Sequence, residues 1–198
     1  VSTQAETLTF DASEHRYWLG SRELPSVTHV LRFLQNFEHV PQHVLEAAAQ
    51  FGRHVHEACH LHNLGQLDWD SLDDSLVPYL KAYDRFLVDT GFVVQASEER
   101  VSCAIPGYAG TLDLRGRLPT ARGKVHPTII DIKTTATLPA TVGPQLAAYE
   151  HCVTGRHHRR ALLLRADGTY KFPEFNDTAD WQMFVSCLNL HSFKERHA

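Results

Sequence analysis

The sequence predicts a mixed α/β fold, and three observations carry that expectation. Apolar residues recur at helical spacing through the first half of the chain, up to about residue 90. Between about 92 and 133 the pattern changes to alternation or short continuous apolar runs, the mark of strands. A helix, a hairpin and a last amphipathic helix then follow, with no internal repeat and no linker.

In chain order, Leu8-Thr9-Phe10 and Arg16-Tyr17-Trp18-Leu19 have strand character, with turn chemistry at Gly20-Ser21. Ser26 is suited to cap a helix whose apolar positions are Val30, Leu31, Phe33, Leu34 and Phe37. Pro41 opens a second helix with a stripe of Val44, Leu45, Ala48, Phe51, Val55, Ala58 and Cys59. A third is expected over about 74–90, closed by Gly91, and Pro78 fits it only in the first turn. Strands are expected at 92–94, 99–105, 109–117 and 128–133, then a helix over 139–153 that Gly143-Pro144 can delay. A hairpin around Asp167-Gly168 joins 161–165 to 169–175, and a helix over about 178–195 ends the chain.

At 198 residues, the length suits one domain, 1–198, with 1–40 as an accessory hairpin and helix. A composition of 43% hydrophobic and 21% charged residues is that of a globular protein. No apolar run approaches a membrane span and residues 1–10 lack a signal-peptide layout, so the expected location is the cytoplasm. The four cysteines, Cys59, Cys103, Cys152 and Cys187, form no CxxC pair, which speaks against a zinc knuckle and for buried free thiols. A net charge of −4 does not advertise a nucleic-acid binder, but a local basic rim can still meet phosphates.

The chemistry concentrates in Ile129-Ile130-Asp131-Ile132-Lys133. Residues two apart on a strand share a face, so Asp131 and Lys133 lie side by side in an otherwise apolar strand. Gly110-Thr111-Leu112-Asp113-Leu114 presents a second strand carboxylate, with Gly110 read as a tight turn before it. Two carboxylates on adjacent strands with a lysine beside one can hold a hard divalent cation and position a water. Gln145 and Tyr149, four apart, stack on one helix face. His56 follows Gly52 by one turn, and the glycine is read as giving room beside it. Taken singly, Asp131 and Lys133 read equally as a strand salt bridge, and Gln145 and Tyr149 as a half-buried helix face.

Together these residues resemble the RecB-like exonucleases of the PD-(D/E)XK nuclease superfamily, including their stand-alone phage relatives. The resemblance rests on Pro25-Ser26-Val27-Thr28, Gly52 to His56, Gly110 to Asp113, Asp131-Ile132-Lys133 and Gln145 to Tyr149, in that order and over roughly residues 17–150. It implies a restriction-endonuclease-like α/β domain, a mixed central β-sheet flanked by helices. It also implies metal-dependent DNA cleavage, most readily exonucleolytic, in recombination, repair or phage DNA processing. By the same resemblance His56, Asp113, Asp131 and the backbone carbonyl of Ile132 hold Mg²⁺ or Mn²⁺. Lys133 orients or deprotonates the attacking water, and Gln145 and Tyr149 contact the DNA backbone or steady Lys133. Glu99, or its neighbour Glu98, joins as an outer acid. The extra cysteines of the iron–sulfur branch are absent, so no cluster is expected. The partners implied are DNA and a separately encoded annealing protein or helicase; neither a membrane nor a particular oligomeric state is implied.

Two further readings remain at this stage. His56-Glu57-Ala58-Cys59-His60 is a literal H-E-x-x-H, the spacing of a zinc metallopeptidase helix, although no third ligand is marked out. A catalytically inactive DNA-binding relative would keep the fold without needing the lysine and both aspartates. Basic residues from Arg115 to Lys124, with Arg117 and Arg122, and the run Arg156-His157-His158-Arg159-Arg160 are candidate phosphate contacts or solvated loops. Trp18 and Phe37 are either core or a wedge that stacks on a base.

Overall fold

The computed structural model describes residues 6–36 and 39–197. Strands β1 (Leu8–Asp11), β2 (Arg16–Leu19) and β3 (Arg22–Leu24) form a small antiparallel sheet. The main sheet is mixed and has five strands in the order β4 (Val93–Cys103), β5 (Tyr108–Pro119), β6 (Val125–Lys133), β7 (His158–Leu164) and β8 (Tyr170–Lys171). Only β6 and β7 run parallel, as the helical crossover between them requires.

Helices cover both faces. On one side α2 (Gln42–Asn63) and α3 (Val77–Thr90) bury Val55, Leu80 and Phe86 against Leu114, Ile130, Ile132 and Leu162. On the other, α1 (Val27–Val30), α4 (Val142–Cys152) and α5 (Ala179–His197) bury Val27, Leu146 and Phe184 against Leu112 and Ile129. This is the mixed sheet flanked by helices that the sequence predicts. Among the described residues no helix is long and apolar enough to cross a membrane.

Several boundaries differ from expectation. The helix after Ser26 lasts one turn and tightens into a 3-10 turn (Leu31–Leu34), because Val27, Thr28 and Val30 are poor helix formers. Its Ser26 cap is as expected: the Oγ accepts from the His29 N–H at 3.1 Å. Phe37 falls outside the described residues. The expected stripe of α2 is buried only in its second half; Val44 is 45% exposed, and Phe51 is the first to pack, edge-on to Tyr79. The two strands expected at 92–94 and 99–105 are one, interrupted by a register shift between Val94 and Ala96 and by Glu98 at φ 53°. Helix α4 starts at Val142 and is buried from there to Tyr149, so its polar Gln145 lies inside the protein.

Candidate active site

Asp131 is 1% exposed, in the middle of the sheet, and it is not left alone there. Its Oδ2 lies 2.7 Å from Lys133 Nζ, and its Oδ1 accepts from Gln145 Nε2 at 2.7 Å. Lys133 Nζ donates in turn to Gln145 Oε1 at 3.3 Å. The three side chains close a triangle between β6 and α4, so the parity of a strand and one turn of a buried helix set the lysine's position. Apart from its ion pair, Asp131 Oδ2 has no hydrogen-bond partner. Burial, with the Asp113 charge adding to it against the opposing pull of Lys133, pushes the Asp131 carboxyl up to about 6. Burial pulls the lysine down, but Asp131 and then Asp113 outweigh it and hold Lys133 above its ordinary value.

Asp113 lies on the neighbouring strand, opposite the irregular Glu98 and just past Leu114, where pairing with β6 ends. Leu112 packs under α4 and α5, while Leu114 packs under α2 and α3, although residues two apart on a regular strand share a face. Asp113 reaches β6, where Oδ2 accepts from the Ile132 N–H at 2.6 Å. Its Oδ1 is 3.4 Å from His56 Nδ1, and His56 Nε2 donates to the Ile132 carbonyl at 3.0 Å. Glu98 Oε1 approaches the same imidazole nitrogen at 3.9 Å. Burial pulls His56 down, but the Asp113 carboxylate, helped by Glu98, outweighs it and raises the imidazole to about 9. Glu98 is pushed up to about 7 by burial and then by Asp113. Burial also acts upward on Asp113, and His56, Lys133 and the Ile132 N–H together bring it below the ordinary carboxylate range.

Tyr149 closes the floor, 3% exposed. Burial and then the charges of Asp113 and Asp131 raise its hydroxyl well above the ordinary value, so it stays protonated. Gly110 makes room for this ring: a Cβ there would stand 2.8 Å from Tyr149 Cε1 and 3.3 Å from its hydroxyl. The glycine is needed for close approach, not for the tight turn expected from the sequence, since its φ is not positive. Gly52 is no steric necessity either, because a Cβ there would meet only Thr134 Oγ1 at an ordinary 3.6 Å.

The chain is similar to a solved alkaline exonuclease. That protein, from Laribacter hongkongensis, shares 14% identity, with 88% of this chain and 95% of that one covered at a TM-score of 0.42. No family model matches the chain, and no curated protein matches it. The likeness is loose, and what the site can do is read from its own geometry.

His56, Glu98 and Asp113 each offer a ligand atom, and these atoms lie within 4.8 Å of one another. Among the described residues no other three histidine, cysteine or acidic side chains are so placed. The donors are carboxylate oxygens and one imidazole, a set that fits a divalent cation.

Glu99, expected as an outer acid, makes a two-pronged ion pair with Arg115, both contacts at 2.7 Å, and its neighbour Glu98, at the backbone irregularity, is the glutamate beside His56. Nothing but two adjacent glutamates in a strand hinted at this, since only one of them can face the site. Arg159, expected as a phosphate contact, is taken up inside the protein. Its side chain is 9% exposed, paired with Asp180 at 3.2 Å and Glu150 at 3.5 Å, and it donates to the Asp177 carbonyl at 2.8 Å. Arg160 is likewise taken up, by Glu174 at 2.7 Å, the Phe172 carbonyl at 3.0 Å and the Phe172 ring.

Arg117 sits opposite Pro127, four residues before Asp131, or roughly 13 Å along the strand. Arg122 and Lys124 lie at the β5–β6 turn, with Lys124 roughly 23 Å from Asp131 by the same measure. All three stand at the far end of the sheet from the site. Arg156, His157 and His158 line a separate cavity of about 630 Å³ beside Trp181. The two histidines of H-E-x-x-H are engaged apart, His56 as described and His60 with Ser97 Oγ at 2.6 Å. Glu57 lies in a groove with His54 and Leu61, away from both. Trp18 is half-buried in the middle strand of the small sheet.

Proposed function

We propose that the chain is a metal-dependent deoxyribonuclease of the PD-(D/E)XK type that hydrolyses phosphodiester bonds, most readily as a RecB-like exonuclease. The observation that carries this is the closed set of Asp131, Lys133 and Gln145 set against Asp113, His56 and Glu98. Two nearly inaccessible carboxylates of adjacent strands both act on one lysine, at considerable desolvation cost. A purely structural salt bridge needs neither the second aspartate nor the histidine.

In this reading His56, Asp113, Asp131 and the Ile132 carbonyl hold Mg²⁺ or Mn²⁺, with Glu98 in the place first expected of Glu99. The imidazole tilts the preference toward Mn²⁺. When bound, such an ion supplies Lewis acidity toward the phosphate and lowers the pKa of a coordinated water. Lys133 places a positive charge where negative charge develops on phosphorus, and its contact with Gln145 holds it beside Asp131. Gln145 fixes Asp131 and Lys133 relative to each other, and protonated Tyr149 offers a donor from the floor. The substrate is DNA, and a separately encoded annealing protein or helicase is the partner that this reading carries.

The test uses end-labelled linear and closed circular DNA with Mg²⁺, Mn²⁺ or EDTA, beside Lys133→Met. Metal-dependent loss of linear DNA alone, abolished by the substitution, is the expected result. Cutting of circles keeps the site and changes exonuclease to endonuclease. No cleavage in either metal by folded protein sinks the reading and favours the inactive DNA-binding relative.

A further inference from the structure

The basic residues of the β5–β6 turn and of β7 are neutralised or stand at the far end of the sheet, whereas Arg53 and Arg100 sit on the elements that carry His56 and Glu98. Arg53 precedes His56 by three residues on α2, so the two share a helix face. Arg100 follows Glu98 by two residues on β4 and lies over the Phe10 ring at 4.9 Å. The β1–β2 turn is pinned beside them: Tyr17 hydroxyl meets Thr111 Oγ1 at 2.8 Å, and His15 packs edge-on against Phe10 at 5.3 Å. Desolvation, followed by the charges of Arg32 and Arg53, holds the His15 imidazole below its ordinary range, so both guanidiniums are within electrostatic reach of that turn. Arg32, Arg53 and Arg100 are exposed, and among the described residues none of them has an ion pair.

We propose that the substrate strand reaches the site across this cationic saddle, with Arg32, Arg53 and Arg100 contacting successive phosphates beside His15. The inference rests on the nuclease reading and adds to it a direction of approach, along the side built by the small sheet and α2. Residues 6–36 then form a wall of the substrate path rather than an accessory. Three exposed guanidiniums without an ion pair among the described residues make a local positive field that attracts a polyanion, and a phosphate backbone is the polyanion whose cleavage the neighbouring carboxylates and lysine suit. The net charge of −4 does not oppose this, because binding responds to the local field.

The test measures binding of a short fluorescein-labelled single strand and a duplex by anisotropy. Wild type in EDTA, so that nothing is cut, is compared with Arg32→Ala/Arg53→Ala and with Arg117→Ala/Arg122→Ala/Lys124→Ala. All five side chains are exposed, so neither variant is expected to disturb folding. The first variant should bind ~10-fold more weakly and lose ~0.7 to 0.9 per phosphate contact from the slope of log affinity against log salt. Arg32→Lys/Arg53→Lys should recover most of that slope, and the loop variant should match wild type. Equal affinity and slope for wild type and Arg32→Ala/Arg53→Ala overturns the saddle. If wild type still cleaves DNA in that case, the nuclease reading stands and only the path is wrong. If wild type neither binds nor cleaves DNA, both fail.

Discussion

Lys133→Met separates a structural salt bridge from a catalytic one. The substitution keeps the length of the side chain and removes its charge. It leaves the Asp131 carboxylate, 1% exposed, with Gln145 on Oδ1 and nothing on Oδ2. Removing one partner of a buried pair in this way costs ~3 to 5 kcal/mol. For a chain of this size that is a fall in Tm of ~6 to 20 °C, at ~2 to 4 °C per kcal/mol. Adding Asp131→Asn removes the stranded charge, and an uncharged pair of similar shape is close to neutral in stability. Urea denaturation in EDTA should therefore show the single variant strongly destabilised and Asp131→Asn/Lys133→Met largely restored. Cleavage should be absent from both. If the double variant is as unstable as the sum of the two singles, the pair is not the charge-compensating unit described. If the double variant regains stability and also cleaves DNA, Asp131 and Lys133 are structural and the chemistry lies elsewhere.

Gly110→Ala should cost ~1 to 3 kcal/mol by overpacking against Tyr149. Adding Tyr149→Leu should recover part of that loss; strictly additive losses in a denaturation cycle would show that the two residues do not constrain each other. Glu98→Gln should weaken Mn²⁺ binding measured by calorimetry, whereas Glu99→Gln should leave it unchanged and cost no more than ~1 kcal/mol of stability, its pair with Arg115 being partly solvated. Equal effects of the two would contradict the placement of Glu98 beside His56. Mn²⁺ at a hundred times its Kd should stabilise the protein by ~2.7 kcal/mol by mass action, and His56→Ala should abolish the shift. A shift that survives in His56→Ala would place the cation at another site. Arg159→Ala should destabilise by ~3 to 5 kcal/mol, as loss of a buried ion-pair partner, with DNA affinity unchanged. Weakened DNA binding at full stability would return Arg159 to the substrate path.

Much of the main sheet and its helices was legible from residue order because period and apolarity are local properties. Ile129-Ile130-Asp131-Ile132-Lys133 reads as a buried strand with two polar residues on one face, and Asp131 and Lys133 do share a face against Gln145. The reading went wrong where a property depends on what lies opposite. Val44 has the period of a buried helix face, but no layer covers it. The role of Gly110 belongs to Tyr149, a residue 39 positions away, and not to its own backbone.

Charge was the least legible property, because a basic residue reads the same whether it is paired or free. Arg159 and Arg160 look like the better phosphate ligands in sequence, yet acids from α4, α5 and the segment after β8 claim them. Arg32, Arg53 and Arg100 form no basic run in the sequence, being scattered over three elements. The sequence by itself determined the period of the elements and the identity of the central carboxylates, lysine and glutamine, since strand parity and helical spacing follow from covalent geometry. Only the tertiary structure decided that Glu98 rather than Glu99 stands beside His56, that Asp113 reaches the Ile132 N–H where β5 and β6 cease to pair, and which cations remain uncompensated. Those outcomes depend on sheet irregularities and on ion pairs between residues far apart in the chain, which no local pattern encodes.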